Sequence, residues 1–163
     1  ADGLALTETW LSTIRTAAYR ASAQLAAEKG AFPAYDAAIL DRPTLASLDE
    51  ETRALIREHG LRNGCLTTIA PTGTISLLAG NTSSGIEPVF AFSYQRRVRQ
   101  ADNSFVEEPV QDYALTVWRR LHGEAPPPEY SFVSAQTLTP ADHLAMQATA
   151  QRFIDSSISK TVN

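Results

Sequence analysis

The sequence predicts an α/β fold in which helix outweighs strand. Segments with apolar residues at helical spacing alternate along the chain with short runs rich in β-branched and aromatic residues. The chain has 163 residues, of which 44% are hydrophobic, and this is enough for one domain with a core. No internal repeat or low-complexity tract interrupts the alternation. We therefore expect a single compact unit of mixed helices and strands.

Two helices and a strand are predicted in the first half of the chain. Apolar residues repeat at helical spacing from Thr7 to Lys29, which predicts a helix that packs through Trp10 among others. A second helix is predicted from Ser47 to Gly60, because Ser47 and Glu50 have the spacing of a capping box. The prolines between these helices bracket a short helical or irregular piece. The run "CLTTIA", residues 65–70, then predicts a strand.

The second half repeats this alternation. The run "VFAFSYQRRVRQ", residues 89–100, predicts a strand, and residues 107–123 predict a helix with acids and proline at its start and basic residues at its end. A last helix is predicted from Thr139 to Asp155, with Asp142 in the capping-box position. The final "SISKTVN" is strand-like.

Composition excludes several classes of function. A formal net charge of −4 and a pI near 5.3 provide no broad basic surface for nucleic acid or an anionic membrane, and we assign Arg96, Arg97 and Arg99 to a strand end. No apolar run is long enough for a membrane span and no signal-peptide pattern occurs, so we expect a cytoplasmic chain. A single cysteine, Cys65, and scattered histidines predict no metal site.

One motif indicates chemistry. In "TIAPTGTISLLAG", residues 68–80, a polar insert of Pro71, Thr72, Gly73, Thr74, Ile75 and Ser76 stands between a strand-like and a helix-like run. The first turn of a helix has unpaired N–H groups and a partial positive charge, and it stabilises an anion. Glycine leaves room for that anion, and the hydroxyls add donors. Because the lysine of a P-loop is missing, we expect phosphate recognition rather than transfer; the alternative is an ordinary capped turn.

The segment "LRNGCLTTIAPTGTISLLAGNTSSGIEPVFAFSYQRRV", residues 61–98, resembles the substrate-phosphate segment of ribonucleotide reductase catalytic subunits. "APTGTIS" followed by "NTSSGIEPVF" is most similar to the adenosylcobalamin-dependent, class II enzymes, and the final "DSSISKTVN" is similar to a strand of the same family. The resemblance implies a helix-rich fragment of a ten-stranded α/β barrel, in which residues 71–76 hold the diphosphate or triphosphate of a ribonucleotide. It implies adenosylcobalamin in the full-length enzyme, and we expect none in this fragment.

The resemblance does not extend to the radical chemistry. The family's finger loop carries Asn-x-Cys-x-Glu, whereas Asn63, Cys65 and Thr67 lack the acid and lie only six residues before the phosphate motif, so we interpret Cys65 as a small core residue. We therefore predict no catalytic residue here and an isolated chain that is inactive. Glu87 is interpreted as a solvated or turn-stabilising residue rather than a site carboxylate.

Partners follow from the same resemblance. Residues 1–163 would be one segment from the C-terminal part of the barrel, completed by the remainder of the reductase. Strand edges left without neighbours predict some self-association. Two alternatives stay open: a fragment of a class I large subunit, and a non-catalytic helical interaction module in which the motif is only a capped turn.

Overall fold

The computed structural model describes residues 2–162 and separates into two compact units, where chain length alone predicted one. Unit 1 comprises Ala1–Ile69 with Leu144–Ile158, and unit 2 comprises Ala70–His143 with Ser159–Asn163. The expectation that residues 1–163 form a single barrel segment stays a prediction.

Helices build unit 1. Helix α1 spans Asp2–Lys29 and packs against α3, Glu50–His59, while a 3-10 helix at Ala37–Asp41 and the short α2 at Pro43–Ala46 connect them. The predicted helix from Thr7 is therefore confirmed and begins earlier. The capping box predicted at Ser47 is wrong, because Asp49 rather than Ser47 is the N-cap of α3. The Asp49 carboxylate accepts the Thr52 amide at 2.9 Å.

The core of unit 1 is formed where α1, α3 and the connecting segment meet. Its buried residues are Tyr19, Ala23, Leu40, Leu45, Leu48, Ile56 and Leu61. Trp10, which was expected to pack, is instead 63% exposed, on the same α1 face as the exposed Leu6 and Ile14. The apolar face of α1 is thus only partly covered within this unit.

Asp155 joins the end of unit 1 to the segment after α3. Its carboxylate accepts hydrogen bonds from the amides of Leu66 and Thr67 at 2.8 and 2.9 Å, and from the Tyr19 hydroxyl at 3.2 Å. Beyond it, Ile69 and Ile158 form an isolated parallel bridge. The strand predicted at residues 65–70 is therefore reduced to one bridge among the described residues: the Asp155 side chain accepts two of its amides, and the Ile69 amide donates to the Ser157 carbonyl at 3.1 Å.

Unit 2 contains the short helix α4 at Gly73–Leu78, the antiparallel strands β1 at Ser93–Arg99 and β2 at Phe105–Gln111, and helix α5 at Tyr113–His122. Helix α6, Pro140–Gln151, completes the elements. In the described part of unit 2, Leu115 is the only buried apolar residue. Unit 2 therefore has almost no apolar core of its own.

The β-hairpin corrects one expectation about helix boundaries. Residues 107–111 were predicted as the start of a helix, but they belong to β2, where Glu108 pairs with Arg96 and Glu107 with Arg97 across the strands. The backbone pairing of the two strands therefore includes the positions that carry these acids. Helix α5 begins only after Asp112, whose carboxylate accepts the amides of Ala114 and Leu115.

The capping box at the start of α6 is confirmed. The Thr139 amide donates to the Asp142 carboxylate at 2.9 Å, and the Asp142 amide donates to the Thr139 hydroxyl at 3.3 Å. Helix α6 ends at Gln151, earlier than predicted. The fold is thus a helix-rich mixture with one two-stranded sheet, and no helix among residues 2–162 is both long and apolar enough to span a membrane.

Candidate functional site

The predicted phosphate loop leads directly into helix α4. Thr72 is the N-cap, and the first helical hydrogen bond runs from the Ser76 amide to the Thr72 carbonyl at 2.8 Å. The amides of Gly73, Thr74 and Ile75 precede that bond and donate to no acceptor among the described residues. The structure therefore places the residues of the motif at a helix start with unpaired N–H groups, as the sequence predicts.

This helix start is open to solvent. Gly73, Thr74 and Ile75 are exposed, and Ile75 has 65% of its surface accessible. The hydroxyl of Thr74 makes no hydrogen bond to any described residue. The motif thus presents donors outwards and does not bury them against the chain's own residues.

Gly73 is not required by the fold of the chain itself. Its backbone does not lie in the positive-φ region, and a Cβ added there would meet nothing within 4 Å. Neither backbone conformation nor internal packing explains the absence of a side chain. A glycine at this position leaves the backbone open to close approach by an external group.

Thr72 is held in an unusual conformation. Its φ of 51° lies in the left-handed region, which is unfavourable for a β-branched residue. The Thr72 hydroxyl oxygen accepts a 2.9 Å hydrogen bond from the amide of Gly85, so its hydroxyl proton stays free to donate. The loop before α4 is therefore fastened to the turn at residues 83–87.

That turn is fastened in its own right. The Glu87 amide donates to the Ser84 carbonyl at 2.9 Å, and the Ser83 hydroxyl donates to the Glu87 carbonyl. The Glu87 side chain forms an ion pair with Lys160 and accepts the Thr161 amide at 2.6 Å. Glu87 was expected to be solvated or turn-stabilising. The structure shows that the backbone of Glu87 holds the turn, whereas its carboxylate is paired with Lys160, which sequence reasoning missed.

A cavity of about 390 Å³ adjoins the same helix in unit 2. Its lining is mixed, with hydroxyl, amide, carboxylate and aromatic groups, and includes Ser76, Asn81, Glu87, Tyr94 and Asp112. Asn81, also with positive φ, lies three residues after the end of α4 and accepts hydrogen bonds from Tyr94 and Arg96. The last residue of the predicted phosphate loop thus borders a recess with both polar and apolar walls.

The three arginines of β1 have partners within the chain. Arg96 donates to Asn81 and to the Tyr94 hydroxyl, and Arg99 donates to Asn103 at 2.7 Å. The Arg97 guanidinium lies 4.1 Å from the centre of the Phe105 ring. These contacts agree with the interpretation of the arginines as strand residues with intrachain partners.

Cys65 is exposed, so its interpretation as a core residue is wrong. Among the described residues its segment forms only the isolated bridge at Ile69, so the strand expected to bury it is not observed. Asn63 is hydrogen-bonded to Ser22. The Ser22 hydroxyl donates to the Asn63 side-chain oxygen at 3.2 Å and accepts the Asn63 backbone amide at 3.1 Å. Within residues 2–162, no group of three or more His, Cys, Asp or Glu residues is arranged to hold a metal ion.

Comparison with known proteins gives a consistent assignment. The family profile described as "Ribonucleotide reductase, barrel domain" matches residues 1–163. The vitamin B12-dependent ribonucleoside-diphosphate reductase of Thermoplasma acidophilum is 32% identical, over 99% of this chain and 21% of its own length. The enzyme of the same name from Mycobacterium tuberculosis is 36% identical, over 92% of this chain and 22% of its own length.

A third relative, the vitamin B12-dependent ribonucleotide reductase of Streptantibioticus cattleyicolor, is 28% identical over 99% of this chain and 35% of its own length. The chain therefore spans about a fifth to a third of the length of these relatives. Because the family profile covers every residue, this chain belongs to the ribonucleotide reductase barrel-domain family.

Proposed function

We propose that this chain is the substrate-phosphate-binding part of a vitamin B12-dependent ribonucleotide reductase, which converts ribonucleotides to deoxyribonucleotides by thiyl-radical chemistry. The observation that carries the proposal is the exposed start of α4, where three successive amides lack acceptors among the described residues and Gly73 leaves the approach open. The match to the B12-dependent relatives favours this reductase class.

In this proposal residues 71–76 bind and orient the substrate through its phosphates. Phosphate oxygens accept hydrogen bonds from the amides of Gly73, Thr74 and Ile75, while the hydroxyls of Thr72, Thr74 and Ser76 add donors. The names of two relatives favour a diphosphate substrate. The loop holds the nucleotide and takes no part in bond cleavage, since it carries no group that could act as acid, base or radical.

The weak core of unit 2 supports the view that it is a slice of a larger barrel. Leu115 is its only buried apolar residue in the described part, whereas Leu78 is 91% exposed and Phe90 67% exposed. Soluble proteins rarely leave so many large apolar side chains uncovered in one unit. We propose that the rest of a ten-stranded barrel covers them in the full-length enzyme, and that isolated copies associate through them.

Adenosylcobalamin belongs to the rest of the full-length enzyme in this proposal. Four cavities lined by described residues have volumes of about 390 to 530 Å³. Such volumes suit drug-sized ligands, and adenosylcobalamin is a much larger molecule. The residues of this chain by themselves do not fit the cofactor, so no step of the reaction is derived through it. The cofactor supplies the radical when it is bound elsewhere in the enzyme.

The chain alone should reduce no ribonucleotide, because the family's Asn-x-Cys-x-Glu loop is not among its residues. The assay incubates the chain with adenosylcobalamin, a dithiol and each ribonucleotide, and measures deoxynucleotide. Turnover that disappears in Cys65→Ser would show that the segment Asn63 to Thr67 had been wrongly set aside.

Substitutions at the loop of the full-length reductase test the phosphate site. Gly73→Val places a branched side chain in the open approach, and Thr74→Ala removes one hydroxyl donor. Both should raise the KM for ribonucleotide, the valine variant by about tenfold or more and the alanine variant by about fivefold, since each net hydrogen bond is worth about 1 kcal/mol. Cobalamin affinity should stay nearly unchanged.

Gly3→Val is the matched control. Gly3 also lies in the first turn of a helix, without positive φ and with nothing within 4 Å of an added Cβ. It should leave the KM unchanged. A wild-type KM in Gly73→Val would refute the phosphate site and leave an ordinary capped turn as the interpretation of residues 71–76. A reductase that works without cobalamin would assign the chain to the class I alternative.

A further inference from the structure

We propose that Glu87 and Lys160 form a positioning pair that sets the geometry of the phosphate loop. The proposal rests on the proposed function and adds residues that lie outside the loop itself. Glu87 lies eleven residues after Ser76, the last residue of the loop, and Lys160 lies near the end of the sequence. Both belong to unit 2.

The pair is built into the structure rather than formed at the surface. The Lys160 side chain is only 3% exposed and that of Glu87 is 26% exposed. Lys160 donates to one carboxylate oxygen of Glu87 and also to the Thr161 carbonyl at 2.7 Å, while the Thr161 amide donates to the other carboxylate oxygen at 2.6 Å. Both oxygens of Glu87 are therefore used to hold the segment at residues 160–161.

A short chain of contacts connects this pair to the loop. Glu87 closes the turn at residues 83–87 through its amide, which donates to the Ser84 carbonyl. Gly85, inside that turn, donates its amide to the Thr72 hydroxyl oxygen at 2.9 Å. Thr72 in turn accepts the first hydrogen bond of α4 through its carbonyl. Each link is a hydrogen bond between described residues of one unit.

Thr72 needs this support because its conformation is unfavourable. A β-branched residue at φ 51° persists only when surrounding contacts fix it. Since Thr72 is the N-cap, its backbone angles set the direction in which the amides of Gly73, Thr74 and Ile75 point. Losing the anchor at Glu87 would let the turn, and with it Thr72, relax away from this geometry.

Charge gives the pair a second effect on an anionic ligand. A carboxylate two residues from the turn glycine would repel phosphate if it stood alone. Lys160 compensates that charge in a place where solvent screens it weakly, and removing only one partner leaves the other buried and uncompensated. Removal of Lys160 should therefore weaken phosphate binding more than removal of the charge on Glu87.

The test uses the full-length reductase and measures the KM for ribonucleotide, kcat and cobalamin affinity. Glu87→Gln should raise KM about tenfold, and Lys160→Met by a larger factor, with kcat changed less than about threefold because the loop holds substrate equally before and during the reaction. The double variant Glu87→Gln, Lys160→Met removes both charges and should recover part of the loss in Lys160→Met. Glu124→Gln, an exposed acid of the same unit, is the control and should behave as wild type.

Combination with Gly73→Val separates this inference from the proposed function. If Glu87 acts through the loop, adding Glu87→Gln to Gly73→Val should raise KM little further. Two results would overturn the positioning role and leave the phosphate site intact. One is a KM in the combined variant that equals the product of the two single fold-increases, and the other is a wild-type KM in Glu87→Gln together with a raised KM in Gly73→Val. A wild-type KM in Gly73→Val would overturn both. If Glu87→Gln or Lys160→Met alone does not fold, the double variant, which lacks both charges, is measured instead. A wild-type KM in the double variant would overturn the positioning role of Glu87 and Lys160.

Discussion

Removal of the Asp155 carboxylate should destabilise unit 1 more than removal of any of its single partners. The carboxylate accepts the backbone amides of Leu66 and Thr67 at 2.8 and 2.9 Å, and longer bonds from the hydroxyls of Thr67 and Tyr19 at 3.3 and 3.2 Å. Hydrogen bonds to charged groups contribute about 1.5 to 3 kcal/mol each. Asp155 is only half-buried, so water can form some of the hydrogen bonds to these amides when the carboxylate is removed. We expect Asp155→Ala to lower the free energy of unfolding by about 3 kcal/mol.

The assay is urea denaturation of the 163-residue chain, followed by circular dichroism, with Tyr19→Phe as the comparison. Tyr19→Phe removes one long hydrogen bond and keeps the ring in the core, so it should lower the free energy of unfolding by only about 1 kcal/mol. For a chain of this size the two losses correspond to about 6 to 12 °C and 2 to 4 °C in Tm. Equal losses in the two variants, or less than about 1 kcal/mol in Asp155→Ala, would refute the reasoning that the backbone amides dominate.

Two further predictions concern an acid and the arginines of β1. Hydrogen bonds from Thr52 and Arg20 hold the pKa of Asp49 well below its usual value, so its stabilising effect is complete above the unfolded carboxyl pKa of about 3.9 and is lost as pH falls through the lower folded pKa. The urea midpoint of Asp49→Asn should therefore fall less between about pH 6 and about pH 2 than that of the unmodified chain. Changing Arg97 and Arg99 to glutamine should leave the affinity for single-stranded RNA as weak as before in a filter-binding titration, and a salt-dependent loss of strong binding would contradict their intrachain assignment.

Local sequence signals predicted those elements whose ends are determined locally. The capping box of Thr139 and Asp142 is one example, because both hydrogen bonds lie within four residues of sequence. The α4 start at Gly73 is another. At Ser47 the same kind of signal failed, since Asp49 two residues later offers a carboxylate with better reach to the helix amides. Which of two nearby residues caps a helix depends on the backbone geometry at the helix start, and sequence spacing alone does not specify that geometry.

Contacts between distant parts of the chain could not be predicted in this way. Residues 107–111 carry helix-start signals, but antiparallel backbone pairing with residues 93–97 makes them a strand. Asp155 was placed at the end of the predicted last helix and Lys160 in the strand-like tail, and nothing local indicated that one would accept the amides of Leu66 and Thr67 and the other would pair with Glu87. A lysine within a strand-like tail was the available signal, because a lysine that such a strand buries requires a partner.

The sequence of residues 71–76 contains no lysine or arginine, and this determines how much the loop can contribute to binding. Three charge-assisted hydrogen bonds from the amides of Gly73, Thr74 and Ile75 would amount to about 5 to 9 kcal/mol. Association itself costs about 4 to 15 kcal/mol in lost translational and rotational freedom. The two terms nearly cancel, so the exposed loop on its own should bind nucleotide weakly. Micromolar affinity, about 8 kcal/mol, requires additional contacts to the ribose and base. In the proposed enzyme those contacts come from the rest of the barrel, and the loop sets the position of the phosphates.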